Sequence, residues 1–118
     1  NMKYGLIAKM TSEEVEAKLE RDHPEELLYV PVSVSMYWPD WRFAQELCLK
    51  LSKHHHWNVR GNAVLGFGHI SRVHCMLERE RVEPVLRDAL LDESDYVREQ
   101  AYGAVDDVNH FLKWEISA

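Results

Sequence analysis

The sequence predicts an all-α chain: a short solenoid of helical hairpins, led by capping helices at its N-terminal end. Three observations predict this. Apolar residues recur at three- and four-residue steps through most of the chain. Hydroxyl and carboxylate residues stand where helices should begin. One block of sequence is used twice, 38 residues apart (Val59 and Val97). The 118 residues suit one domain, and 46% hydrophobic with 29% charged residues is a globular balance, neither disordered nor fibrous. A chain of this length can bury a core without staples. Within the single domain, 1–118, residues 11–39 are expected to form the N-terminal cap and connector, 40–75 the first repeat and 79–114 the second.

Thr11-Ser12-Glu13-Glu14 is a capping box, a hydroxyl followed three positions on by a carboxylate. Val15 and Leu19 follow at helical spacing, so a helix is predicted from Ser12 to about Asp22. Pro24 fits the first turn of a short helix over Glu25 to about Val30, where its missing N–H costs nothing. Pro31 disfavours continuation. Val32-Ser33-Val34-Ser35-Met36 alternates with period two, a strand signal; with no partner strand, it reads as an extended or irregular connector. Asp40 is placed to cap a helix from Trp41 to Lys53 with Phe43, Leu47 and Leu51 inward. The break falls at His54-His55-His56. Asn58 can cap the next helix, which runs to about His74 over Val59, Ala63, Gly66, Phe67 and Ile70. Glu78-Arg79-Glu80-Arg81 marks a turn, and Pro84 puts the start of the following helix near Val82 or Glu83 and its end near Leu91. After Asp92-Glu93-Ser94-Asp95, the last helix spans Tyr96 to Lys113, with Val97, Ala101, Ala104, Val105, Val108 and Leu112 inside. Lys113 suits the negative end of the helix dipole.

Val59-Arg60-Gly61-Asn62-Ala63 recurs as Val97-Arg98-Glu99-Gln100-Ala101. In that register Gly66 falls on Ala104, Phe67 on Val105, Ile70 on Val108, Leu47 on Val85 and Leu51 on Ala89. A helix pair repeated at a period of about 40 residues signals a helical solenoid. Val seats the second helix of each pair, and Ala and Gly let it approach its neighbour. Arg60 and Arg98, just after the turns, are placed to bond turn carbonyls or an acidic neighbour. Val59 to Ile70 and Val97 to Val108 resemble HEAT-like repeats of the bacterial kind, through Val-Arg-x-x-Ala and a small residue three positions later. The resemblance covers about residues 40–114 and implies an interaction scaffold. Size, acidity, repeat type and the block Arg60-Gly61-Asn62-Ala63-Val64-Leu65-Gly66-Phe67-Gly68-His69-Ile70 also resemble small HEAT-like immunity proteins of contact-dependent and polymorphic toxin systems. That implies a protein partner, a toxin domain neutralised by blocking its active site or substrate path, with no catalysis and no cofactor from this chain.

Composition narrows the classes. The net charge of −6 argues against direct nucleic-acid binding, which favours a basic patch, and is compatible with a basic protein partner such as a nuclease toxin. No apolar run reaches the length of a membrane span, and the opening residues lead to no expectation of a secretory leader. Asn1 ahead of Met2 reads as an extra residue before the natural start. Cys48 and Cys75 form no framework, which fits free thiols and a cytoplasmic location. Two alternatives stand beside immunity: a generic HEAT-like scaffold or adaptor, and a HEAT-like lyase, for which two repeats offer a small groove and no catalytic set.

Candidate chemistry is sparse. Three adjacent imidazoles at His54-His55-His56 cannot all face one ion, so no metal site is expected there; they read as turn and helix-end residues. Asp106 and His110 are neighbours on a helix and read as a surface ion pair. Tyr96, Gln100, Gly103, Asp107, His110 and Trp114 are expected to share one face of the last helix, with Asn58, Asn62, Leu65, His69 and Arg72 on the matching face one repeat earlier. Second helices of solenoids line the surface that commonly binds partners, so Tyr96, Gln100, Asp106, Asp107, His110, Trp114, Asn62 and His69 are the candidate binding set. Trp38, Trp41 and Trp57 are expected to cluster near a hairpin end, as packing anchors or a ligand cage.

Overall fold

The computed structural model describes residues 7–118, which leaves Asn1 and Met2 outside the described residues. Among the described residues the helices are α1 (Ser12–Arg21), α2 (Pro24–Leu27), α3 (Val30–Tyr37), α4 (Trp41–Leu51), α5 (Trp57–His74), α6 (Arg79–Ala89) and α7 (Asp95–Leu112). The chain is all-α among the described residues, as the sequence predicts. The bounds of α6 and α7 follow those of α4 and α5 by 38 residues at both ends. One hairpin is thus used twice, and α5 packs most extensively against α7. No helix among the described residues is long and apolar enough to cross a membrane.

The sequence register carries into the packing. Val59 and Val97, Ala63 and Ala101, Phe67 and Val105, and Ile70 and Val108 are all buried. They join Val15, Leu27 and Val34 of the N-terminal helices in one apolar cluster. Arg60 Nη1 donates to the His54 carbonyl at 3.1 Å, and Arg98 Nη1 donates to the Asp92 carbonyl, the same bond one repeat later. Arg60 also grips Asp92 across the hairpins through two 2.8 Å bonds.

Helix starts follow local chemistry. The α1 capping box forms, with Thr11 N donating to Glu14 Oε1 at 2.8 Å and Glu14 N to Thr11 Oγ1 at 3.1 Å. Asp40 caps α4 through the Arg42 and Phe43 amides. The α5 cap is His56 rather than Asn58: its Nδ1 accepts from Asn58 N at 3.2 Å. His54 Nδ1 accepts from His56 N at 3.0 Å. The ring proton of His54 is therefore on Nε2, which donates to Asp22 Oδ1 at 2.9 Å.

Four expectations need correction. Residues 32–36 are not an extended connector; they lie in α3, where Pro31 sits in the first turn and so starts the helix rather than stopping it. Val30 through Ser35 are all buried, so α3 has no polar face to reveal a helical period. Its serines are satisfied inside, Ser33 Oγ donating to the Ala8 carbonyl at 2.7 Å and Ser35 Oγ meeting Cys48 Sγ at 3.3 Å. The helix expected over Glu25 to Val30 splits instead into α2 and the start of α3. α6 begins at Arg79, not near Val82, and carries Pro84 inside it. Pro84 and Glu80 are both exposed, so water can take the carbonyl that the missing N–H leaves free. Phe43 is 38% exposed and stacks on Trp38 at 5.6 Å, while Ala44, Leu47, Cys48 and Leu51 form the buried stripe.

Candidate functional site

The candidate face follows the seam between α5 and α7. Gly61 and Gly68 stand seven residues apart on the α5 side of it. A Cβ on Gly61 would lie 2.5 Å from Tyr96 Cδ2, and one on Gly68 would lie 2.5 Å from Asp107 Oδ2. The two gaps seat the Tyr96 ring and the Asp107 carboxylate against the α5 backbone. Gln100 is partly buried beside Gly61, its Cγ 3.6 Å from the same Cβ position. Asn62 is buried beneath the face: its Oδ1 accepts from the Tyr96 hydroxyl, and its Nδ2 donates to the Leu28 carbonyl at 2.6 Å.

Farther along, Arg72 Nη2 donates to His69 Nδ1 at 2.8 Å. Burial, helped by the Arg72 charge, pushes the His69 imidazole down to about 4, so the ring is neutral at physiological pH. Burial raises the Asp107 carboxyl above its ordinary range, and Asp106 adds to this, while Arg72 and His110 oppose it. Asp106 and His110 are exposed. They form no ion pair among the described residues, contrary to expectation; His110 rests edge-on against Phe111 at 4.6 Å.

Trp114 does not share this face. α7 ends at Leu112, Lys113 turns left-handed with φ 59°, and the chain folds back. The Trp114 ring is buried under the Arg79 guanidinium at 5.6 Å, and the Asn109 side-chain amide clamps the Ile116 backbone, Nδ2 donating to its carbonyl and Oδ1 accepting from its N–H. Nor do the tryptophans cluster. Trp38 lies by the end of α5, its carbonyl bonded to His74 Nε2, whereas Trp57 opens α5 at the far end. An antiparallel hairpin puts the start of α4 beside the end of α5, and the 18 residues of α5 separate the two sites by roughly 25 Å.

Trp57 belongs with the face instead: it is 47% exposed and meets the Tyr96 ring edge-on at 5.4 Å. The repeat carried this signal, since 38 residues after Trp57 comes Asp95, beside Tyr96, and stacked copies bring equivalent helix starts together. The charge is equally uneven. Residues 92–115 hold seven carboxylates against Arg98 and Lys113, a net −5 within the whole chain's −6. The face is therefore aromatic at one end, amide-lined in its middle and acidic along α7.

A pair of stacked helical hairpins with N-terminal helices packed on them is the structural class. The chain is similar to a chain in a crystal structure of a CDI complex from Cupriavidus taiwanensis LMG 19424, with a TM-score of 0.78 and 24% sequence identity over 94% of this chain and 98% of that one. This likeness shows the fold. The sequence matches no protein family and no curated protein.

Proposed function

We propose that this chain is an immunity protein of a contact-dependent growth-inhibition system, binding a cognate toxin domain and blocking its active site or substrate path in the cytoplasm. The observation that carries the reading is the near-complete structural correspondence, over 94% and 98% of the two chains, with a component of a CDI complex. The sequence resemblance to HEAT-like immunity proteins points the same way independently. A nuclease toxin fits best, because a nucleic-acid cleft is basic and the α7 side of this molecule is acidic. The binding set is Tyr96, Gln100, Asp106, Asp107 and His110, extended by Trp57, with Asn62 and His69 supporting it from beneath.

The function requires tight binding rather than chemistry from this chain. Co-expression with a cognate toxin domain is expected to restore growth, and the two purified proteins to form a stable complex. Unrestored growth together with no complex by calorimetry overturns the reading.

A further inference from the structure

We infer that the cleft between the N-terminal ends of α5 and α7 receives an arginine side chain of the protein partner. The occupant's place on a toxin domain rests on the function proposed above. His55, Trp57 and Arg60 on one side and Glu93, Asp95 and Tyr96 on the other enclose an open cleft of about 470 Å³. The Trp57 indole is held by parallel contact with His56 at 5.7 Å and edge contact with Tyr96 at 5.4 Å, yet stays 47% exposed. A large ring already fixed and still half in water loses little entropy on contact, which is the character of an interface anchor.

The charges select the occupant. Arg60 is engaged twice by Asp92 and bonds the His54 and His55 carbonyls, so its guanidinium is occupied. Asp95 pairs with Arg98. Glu93 is exposed, lines the same cleft as the indole and makes no ion pair among the described residues, although its charge also acts on Arg60. Two helix N-termini open here, but His56 Nδ1 and Ser94 Oγ each take one of their amides, and the surrounding carboxylates repel an anion. A cation gains both an indole surface and a carboxylate. Guanidinium does so best, being planar, weakly hydrated and able to stack on a ring while forking a carboxylate. The cleft is continuous through Tyr96 with the seam, so an arginine projecting from a docked protein reaches it.

The test titrates the whole protein with an end-blocked hexa-arginine peptide, and with hexa-glutamate as control, following assigned NMR resonances. The arginine peptide is expected to shift the Trp57 indole and the Glu93 and Tyr96 amides, and the glutamate peptide to leave them unmoved. Trp57→Leu should weaken arginine-peptide binding about tenfold, and Glu93→Gln about threefold; both sites are exposed, and thermal melts check folding. Shifts confined to the Asp106–Asp107 end, or unchanged affinity in both variants, overturn the inference. The same variants are assayed against the toxin domain. If wild type binds it and both variants bind equally well, the cleft assignment fails while the immunity reading stands. If wild type binds no toxin domain but the variants lose the peptide, the immunity reading fails and the cleft's preference for arginine stands.

Discussion

Asn62 sits where three parts of the chain meet: the α2–α3 link through the Leu28 carbonyl, its own helix α5, and α7 through the Tyr96 hydroxyl. Replacing it with Leu leaves both partners without their bond, so Asn62→Leu should lower stability by about 1–3 kcal/mol. Tyr96→Phe removes the hydroxyl's bond to Asn62 and keeps the ring, and should cost about 1 kcal/mol. Urea unfolding measures both, and an unchanged midpoint for Asn62→Leu would show that the amide does not join these elements. His69 predicts a pH dependence. Its folded pKa of about 4 lies below the ordinary 6.5, so the unfolded chain binds the extra proton between those values. The stability of the neutral buried ring is complete above about 6.5 and declines as pH falls, by about 3 kcal/mol once pH reaches 4. Asp107 has the opposite sign at the acid end: its raised pKa favours the folded state when protonated, and that benefit fades as pH rises. His69→Gln keeps an acceptor for Arg72 and has no proton to gain, so its stability should be flatter between pH 7 and 4. An equally steep wild-type and variant profile would place the acid sensitivity elsewhere.

At the scale of elements, Gly66 sets how closely three helices approach. A Cβ there would lie 2.6 Å from Cys48 Sγ on α4 and 2.8 Å from Ser35 Oγ on α3, both buried. Neither short side chain can swing away, so Gly66→Ala should destabilise by about 1–3 kcal/mol despite its gain in helix propensity. Gly103 has nothing within 4 Å of the same position, and Gly103→Ala should be neutral or stabilising. Matched thermal melts of the pair check this, and equal effects would contradict it. The contrast also explains what could be read from sequence. The hairpins were legible because α4 to α7 each have a wet side, and because the repeat supplies every inward position twice. α3 was not, because enclosure on all sides erases the polar face that marks a helix, and Val-Ser alternation then mimics a strand. Pro31 and Pro84 misled through position: one starts a helix, and the other lies on an exposed stretch where the freed carbonyl is open to solvent. The candidate face was legible as a stripe on α7, since Tyr96, Gln100 and Asp107 follow helical spacing. Trp114 was lost from it because periodicity alone does not show that α7 ends at Leu112.

For the whole molecule, two properties follow from one hairpin being stacked on its copy. The first is coupling. Arg60 of the first hairpin and Asp92 of the second are both largely buried, and the guanidinium holds the Asp92 carboxyl below its usual range. Arg60→Met should cost about 2 kcal/mol, and a double-mutant cycle with Asp92→Asn should recover most of it as pair coupling. This depressed pKa contributes stability above the ordinary 3.8 that is lost as pH falls below it, an acid step separate from that of His69. The second property is the field. With a net −5 carried by residues 92–115, the α7 side would attract the basic partner proposed above before contact is made. That attraction is screened beyond a Debye length of about 10 Å at 0.1 M salt, so association with the proposed toxin partner should slow about tenfold or more between about 0.05 and 0.5 M salt. Dissociation depends on short-range packing and should change far less. Exposed rim residues are expected to divide the same way: Glu99→Gln and Asp106→Asn should lower the association rate, whereas Trp57→Leu should raise the dissociation rate. Stopped-flow and surface-binding kinetics separate the two, and an association rate indifferent to salt would mean that the partner's docking surface is not basic.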